Sequence, residues 1–327
     1  MIALRVERRS YRIRGTFTIS RGSRTHANVV VAAVSDGVHT GRGECVPYAR
    51  YGEDVDGVAA AIEGVAPALA AGAGRGELQS LMPPGAARNA VDCALWDLEA
   101  KRAGRRAWEL TGRPSPEGLV TAFTLSIDTP EAMQAKAAEN SDRPLLKIKL
   151  AGPEDLDRVR AVRLGAPKSR LIVDANEGWD VATYAQLAPE LKALGVEAIE
   201  QPVPAADDNA LAALKDRPVP LVADESCHGL ASLPHIIGKY DYINVKLDKT
   251  GGLTEALTLV EAARAAGLKI MVGCMLGSSL AMAPAMVAAV GAEIVDLDGP
   301  LLLAEDVTPP LRFTGSVMHA PEPGLWG

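Results

Sequence analysis

The sequence predicts an α/β protein in two parts, an α+β domain followed by a (β/α) barrel. Three observations lead there. Residues 2–46 read as strands and residues 55–102 as helices, and a block of strands followed by a block of helices marks a separate α+β unit. From about Leu119 onward, short apolar stretches alternate strictly with helical ones. Charged residues also close successive stretches: Lys147 and Lys149, then Asp174, Glu200, Asp224 and Lys246. From Lys149 the gaps are 25, 26, 24 and 22 residues, one strand, one helix and two loops per step.

In the first part, I-A-L-R-V-E-R-R opens a strand. N-V-V-V-A-A-V follows a loop at residues 22–24, and G-R-G-E-C returns. Residues 20–26 carry Arg21 and Arg24 and no large apolar side chain, so an exposed loop is expected. Residues 55–69 are alanine-rich and helical. Residues 86–102 place Val91, Leu95 and Leu98 at spacings of four and three, one apolar helix face. G-A-G-R-G at residues 72–76 follows a helix and reads as a turn, not a phosphate loop. Trp96 and Trp108 read as core.

In the second part the candidate strands are T-A-F-T-L-S-I, L-L-K-I-K-L, R-L-I-V-D, A-I-E, L-V-A-D, Y-I-N-V-K, K-I-M-V-G and E-I-V-D-L-D. Helices fit between them, for example at 153–164, 181–194 and 253–266. Eight strands with helical crossovers favour a closed barrel. An open doubly wound sheet is the alternative, but it would put functional residues on only two or three strands. Residues 278–295 are the most apolar long stretch. They contain Pro284 and much alanine, and read as a buried barrel helix rather than a membrane span. The tail, 307–327, holds four prolines and no helical period, and is expected to cross back to the first part. The expected division is 1–117, 118–306 and 307–327.

The chain has 327 residues, 48% of them apolar, enough for a sizeable core. The net charge of -7, with both signs interspersed, gives no basic stripe for nucleic acid or an anionic membrane. Met1 runs into I-A-L-R-V-E-R-R without a charged-then-apolar leader. Cys45, Cys93, Cys227 and Cys274 form no C-x-x-C pair and read as reduced, mostly buried thiols. The five histidines are scattered. The expected compartment is the cytoplasm, and a homo-oligomer is left open.

Oxygen ligands on three strands suit a hard divalent cation, magnesium or manganese. Zinc would recruit histidine or cysteine, and these strand ends carry neither. Any one such carboxylate is readily a helix cap or a surface ion pair. Five charged groups at barrel spacing are costly to bury together without a ligand. Lys149 and Lys246 fall on opposite sides of the triad in strand order. A substrate carboxylate at the metal would place its α-carbon between them. One lysine can take the α-proton and the other return it to the opposite face, inverting that carbon. Lys147 shares the strand face of Lys149. Its charge lowers the pKa of Lys149, and it can also hold a substrate oxygen.

K-I-K (Lys147, Lys149), D-A-N-E-G-W from Asp174, E-Q-P from Glu200, A-D-E-S through Asp224 and N-V-K-L-D-K-T-G-G from Asn244 together resemble the enolase superfamily, in its muconate-lactonizing-enzyme subgroup. A-L-W-D-L, followed by K-R-A-G, is similar to the family's capping-domain helix. The resemblance therefore spans nearly the whole chain. It implies a modified TIM barrel, (β/α)7β, with an α+β capping domain built from the N-terminal part and the C-terminal tail. It makes Asp174, Glu200 and Asp224 the magnesium ligands, Lys149 and Lys246 the paired acid and base with Lys147 in support, and Asn176 a residue behind the ligands. Glu225 is expected to point the other way on its strand.

Finer features address the substrate. D-L-D (Asp296, Asp298) resembles the D-x-D of dipeptide epimerases, which receives a substrate ammonium. I-S-R-G-S-R-T resembles the specificity loop of L-Ala-D/L-Glu epimerases, with Arg24 on the glutamate side chain. Thr124 matches a position near the substrate, and residues 274–278 are expected to line the pocket through their backbone. The resemblance thus implies a small-molecule dipeptide, L-Ala-D/L-Glu, a peptidoglycan fragment. A lyase or cycloisomerase such as o-succinylbenzoate synthase stays open, as does a non-catalytic barrel. So does a phosphate site at Gly251 and Gly252, before the sixth barrel helix.

Overall fold

The computed structural model describes residues 2–152, 154–214 and 216–327. Its first element is a long antiparallel ribbon, β1 (Ala3–Ile19) with β2 (Gly22–Ser35), to which β3 (Thr40–Cys45) adds. The ribbon runs from Ala3 opposite Ser35 to Ile19 opposite Gly22, with a register shift between Arg12 and Phe17. The expected exposed loop at 20–26 is therefore a turn at Ser20 and Arg21, and Arg24 sits on β2 opposite Phe17. The continuous apolar run of β2 has a cause: Val29 and Val31 pack into the main core, while Val30, Ala32 and Val34 pack into a second core within the cap. A strand buried on both faces loses polar alternation.

Helix α1 (Val55–Gly64) starts at Asp54, whose side chain accepts the Gly57 N–H. The single helix expected over 55–69 is two pieces, because α2 (Ala66–Ala70) restarts with Pro67, which has no N–H to continue α1. α3 (Arg75–Leu81) and the long α4 (Ala86–Ala103) follow, α4 ending at Gly104 with φ 60°. β3 lies directly on α4. A Cβ on Gly41 would stand 2.1 Å from the Ala94 carbonyl, so only glycine permits this approach. A short α5 (Ala107–Leu110) leads toward the barrel.

After β4 (Leu119–Val120), the eight barrel strands are β5 (Phe123–Leu125), β6 (Leu145–Lys149), β7 (Arg170–Asp174), β8 (Val196–Glu200), β9 (Leu221–Ala223), β10 (Tyr242–Val245), β11 (Lys269–Gly273) and β12 (Ile294–Asp296). They form one parallel sheet in sequence order, as expected. The edges β5 and β12 are joined by Ala122 N–H to the Val295 carbonyl (2.8 Å) and Leu297 N–H to Thr121 Oγ1 (2.8 Å). The fold is the modified TIM barrel with an α+β cap.

The crossovers are less regular than the spacing implies. α6 (Pro130–Glu139), α7 (Asp155–Gly165) and α8 (Val181–Ala193) are full helices. The expected start of α7 at Pro153 lies outside the described residues. Between β8 and β9 the described residues form only a 3-10 turn (Asp208–Ala213), in a segment flanked by Pro202, Pro204, Pro218 and Pro220. Between β9 and β10 there is a 3-10 turn and a short α9 (Leu233–Ile236). α10 (Leu247–Thr250) and α11 (Leu253–Ala265) follow β10, and α12 (Ser279–Ala289) is buried almost throughout, as its composition implied. A short α13 (Gly299–Leu302) follows β12. Among the described residues, no helix is long and apolar enough to cross a membrane.

The side chains inside the barrel are layered. Ala122, Leu145, Ile172, Ala198, Val222, Tyr242, Met271 and Ile294, one from each strand or its approach, form a closed apolar cluster. Two residues further along each strand come Thr124, Lys147, Asp174, Glu200, Asp224, Asn244, Gly273 and Asp296. Successive side chains on a strand alternate faces, so these also point inward, one layer nearer the carboxyl end.

The cap meets the barrel along α4. Arg88 donates to the carbonyls of Thr250 (2.7 Å) and Gly251 (3.1 Å) and pairs with Glu255. Asp92 accepts the Thr254 N–H (3.0 Å) at the start of α11. A Cβ on Gly252 would stand 2.5 Å from Asp92. The phosphate site considered at Gly251 and Gly252 is thus filled by a carboxylate of the protein itself.

The tail closes the structure. β13 (Phe313–Thr314) and β14 (Val317–Met318) pair, and β14 adds to β4. Trp326 is fully buried, and its indole N–H donates to the Cys93 carbonyl of α4 (3.0 Å). Trp326→Ala should lower the free energy of urea unfolding by about 3–5 kcal/mol, the usual cost of a buried Trp→Ala cavity. A loss under about 1 kcal/mol would show that the tail does not help hold the cap.

Candidate active site

The inward layer is a ring of buried charge. Lys147 Nζ stands 2.6 Å from Glu200 Oε2, 2.7 Å from Asp296 Oδ2 and 3.2 Å from Asp174 Oδ2. Lys149 Nζ donates to Asp174 Oδ2 (2.6 Å), and Lys246 Nζ to Asp224 Oδ2 (2.7 Å). Asp174, Glu200 and Asp224 each offer an oxygen, all within 4.8 Å of one another, and all three residues are buried. β7, β8 and β9 carry or lead into them, while β6 and β10 on either side bring Lys149 and Lys246.

Burial raises every carboxyl here, and the neighbouring charges decide the outcome. At Asp174, Lys149 and Lys147 outweigh burial and hold the pKa below the usual range. At Asp224, Lys246 and Lys249 do the same. At Glu200, burial and the repulsion of Asp174 win, pushing it up to about 8. Three carboxylates this close resist full ionisation unless a cation joins them. Despite the burial of Lys147 and Lys246, the surrounding carboxylates raise both well above the ordinary lysine value.

The donor set fits a hard divalent cation: all three ligand atoms are oxygens and all three residues are buried. Several buried oxygens of the ring and its rim, including those of Asp296 (Oδ1), Glu225 (Oε2) and Asn176 (Oδ1), have no hydrogen-bond partner among the described residues.

Above the ring lies a pocket whose floor is barrel and whose roof is cap. Thr124, Lys147, Lys149, Asp224, Lys246, Asp296 and Asp298 line it from below, and Phe17, Ile19, Arg24 and Tyr51 from above. All four substrate residues expected from the sequence are brought together here. Asp298 Oδ2 accepts the Thr124 N–H (2.6 Å), which bridges the barrel edges at the pocket, and burial and Asp296 push Asp298 up to about 7. Arg24 lies over the Tyr48 ring, 5.6 Å from its centroid, and has no ion pair among the described residues. Asn176, at φ 45°, donates its N–H to Asp174 Oδ1 (2.9 Å). Cys274 lines the pocket with Met275 and Leu276, whereas Ser278 faces away and bonds Glu44. All four cysteines are free thiols.

Glu225 does not point away. β9 ends at Ala223, where Gln201 Oε1 accepts the N–H groups of Asp224 and Ser226, so strand alternation no longer applies at 225. The Glu225 carboxylate turns into the pocket and receives Arg21 (2.7 Å). Arg21 also bonds the Asn176 carbonyl (2.9 Å) and the Tyr48 hydroxyl (3.0 Å), so the tip of the ribbon is latched onto the barrel. A second latch joins Arg50 to Glu177 through two bonds of 2.9 Å.

Two further residues escaped the sequence reading. Asn244 Nδ2 donates to Glu200 Oε1 (2.7 Å), and Lys249 Nζ to Asp224 Oδ1 (2.6 Å). Lys249 follows Lys246 by three residues within N-V-K-L-D-K-T-G-G, the only signal available for it.

Residues 131–325 match the enolase C-terminal domain-like family, and residues 1–112 match the mandelate racemase / muconate lactonizing enzyme N-terminal domain. The chain belongs to the enolase superfamily. Within this superfamily it is 44% identical to an L-Ala-D/L-Glu epimerase of Escherichia coli K12, over 98% of this chain and 100% of that one. It is 43% identical to an N-acetyl-D-glutamate racemase of a Pseudoalteromonas species, over 91% and 95%. Its structure superimposes at a TM-score of 0.98 on an enolase family member from Agrobacterium tumefaciens. That protein is 53% identical over 100% of both chains, has homology to dipeptide epimerases, and was solved with sodium, L-Ala-L-Glu and an ordered loop.

Arg21→Met should free the ribbon tip. Amide hydrogen exchange at residues 17–24 should speed up about tenfold, equivalent to about 1.4 kcal/mol, with the barrel strands unchanged. Unchanged exchange at the tip would mean that the latch does not hold it.

Proposed function

We propose that this enolase-superfamily isomerase is a magnesium-dependent dipeptide epimerase that inverts the α-carbon of the C-terminal residue, with L-Ala-D/L-Glu as substrate. The observation that carries the reading is the placement of Lys149 and Lys246 on the two sides of the carboxylate triad, in a pocket roofed by the cap. Asp174, Glu200 and Asp224 would hold Mg2+, with Mn2+ an acceptable substitute. When bound, the cation supplies Lewis-acid stabilisation of the charge that develops on the substrate carboxylate.

The chain's own groups do the rest. A neutral lysine on one side takes the α-proton, and the ammonium on the other returns one to the opposite face. The result is a 1,1-proton transfer through an enolate, with no net gain or loss of protons. Lys147, held among Glu200, Asp174 and Asp296, keeps positive charge beside the reacting carboxylate. Asn176 steadies Asp174. The substrate's α-ammonium would meet Asp296 and Asp298 at the end of β12, near Thr124, and its side-chain carboxylate would meet Arg24. An acidic end and a basic end frame a short anionic dipeptide. An o-succinylbenzoate or cycloisomerase substrate carries no ammonium and would leave the two aspartates without a partner. N-Acetylglutamate, also without an ammonium, is the informative competitor given the racemase relative.

With Mg2+ in D2O, L-Ala-L-Glu should exchange its glutamate α-hydrogen and epimerise. Lys149→Ala and Lys246→Ala should each reduce epimerisation by at least about a hundredfold, within the usual range for a lost acid or base, and one of them should still exchange from a single face. Turnover that survives both substitutions would end the two-base reading. No exchange across a dipeptide panel, alongside exchange of N-acetylglutamate, would move the substrate to N-acyl amino acids.

A further inference from the structure

Each carboxylate of the triad has one oxygen already engaged by a donor other than Lys147, Lys149 and Lys246. Asp174 Oδ1 accepts the Asn176 N–H (2.9 Å). Glu200 Oε1 accepts Asn244 Nδ2 (2.7 Å). Asp224 Oδ1 accepts Lys249 Nζ (2.6 Å). The other three oxygens, Asp174 Oδ2, Glu200 Oε2 and Asp224 Oδ2, face Lys149, Lys147 and Lys246.

We propose that Asn244 and Lys249 are positioning residues that restrict Glu200 and Asp224 to one ligating oxygen each, and so set the site for a cation of magnesium's size against calcium. This rests on the reading that a divalent cation sits at the triad. Mg2+ takes six ligands in a tight octahedron, whereas Ca2+ takes six to eight and favours bidentate carboxylates. Three single-oxygen ligands leave half an octahedron for substrate oxygens and water. They leave calcium short of the oxygens it draws from two-oxygen carboxylates.

Both positioning groups are held firmly. Asn244 is fully buried, and a Cβ on its neighbour Gly273 would stand 2.7 Å from Asn244 Oδ1 and 2.9 Å from Nδ2. The amide therefore lies flat against the adjacent strand, and Gly273 is what lets it. The Lys249 ammonium has three acceptors for its three protons: Asp224 Oδ1, the Asp224 carbonyl and the Asn244 carbonyl. Its side chain is completely buried and lies outside the pocket lining, so it acts on Asp224 and not on substrate.

The test is calorimetric and does not depend on turnover. Metal-free wild type, Asn244→Leu and Lys249→Met are titrated separately with MgCl2 and CaCl2, with folding checked by circular dichroism. Removing Lys249 also removes a positive charge and strengthens both cations, so the Mg2+ to Ca2+ affinity ratio is the readout. Asn244→Leu leaves charge unchanged and serves if Lys249→Met fails to fold. The ratio should fall about tenfold in each folded variant, as the freed oxygen lets a carboxylate chelate calcium. A fall smaller than threefold in the folded variants overturns the assignment while leaving the metal site itself intact. No binding of either cation by wild type overturns both the metal site and the role of Asn244 and Lys249.

Discussion

Everything in this structure follows from two stacked rings in the barrel. Strand alternation places an apolar residue from every strand in one layer, and the residue two further on in the next. The first layer seals the barrel floor. The second holds Lys147, Asp174, Glu200, Asp224 and Asp296, with Lys149 and Lys246 at its rim. Buried charge of this density costs stability unless it is paired. Here lysines reach the carboxylates from the neighbouring strands, Lys147 to Glu200 and Asp296, Lys149 to Asp174 and Lys246 to Asp224, so each carboxylate of the triad has a lysine against it. The pairing makes the ring tolerable without making it neutral in every part. Glu200, most affected by burial and by Asp174, is raised to about 8.

The cap turns this ring into a site. A ring open to water would screen its own charges, and a substrate would gain little from them. The ribbon tip and the Tyr48–Tyr51 segment cover it, and they are fastened to the barrel at Asn176, Glu177 and Glu225. These residues follow Asp174 and Asp224, two members of the triad, by one to three positions in sequence. The roof is therefore tied to the same loops that carry the triad. Along its other side the cap is held by α4, through Arg88 and Asp92, and by the tail through Trp326.

Much of this was legible in the sequence, and the failures have physical causes. The eight strands could be read because each ends a short β-branched run, and their polar ends gave the triad and the lysines. The crossover between β8 and β9 could not, because its prolines accompany a 3-10 turn among the described residues while preserving the spacing. Arg24 was placed on a loop because a tight turn at Ser20 and Arg21 leaves no apolar signal, although the ribbon continues through it. Alternation predicts the wrong direction for Glu225 because that residue lies two positions past the end of β9. Asn244 and Lys249 were invisible because their role depends on contacts between strands. The motif containing them shows composition but not which oxygen each one holds.

The claim on which the account rests most heavily is that the charged ring converges on one cation. Anomalous diffraction from a crystal soaked with Mn2+ tests it directly. The account predicts a single strong peak between Asp174, Glu200 and Asp224, with one oxygen of each at about 2.2 Å, the distance expected of a small hard cation. A peak elsewhere in the pocket, or none at the triad, would contradict it.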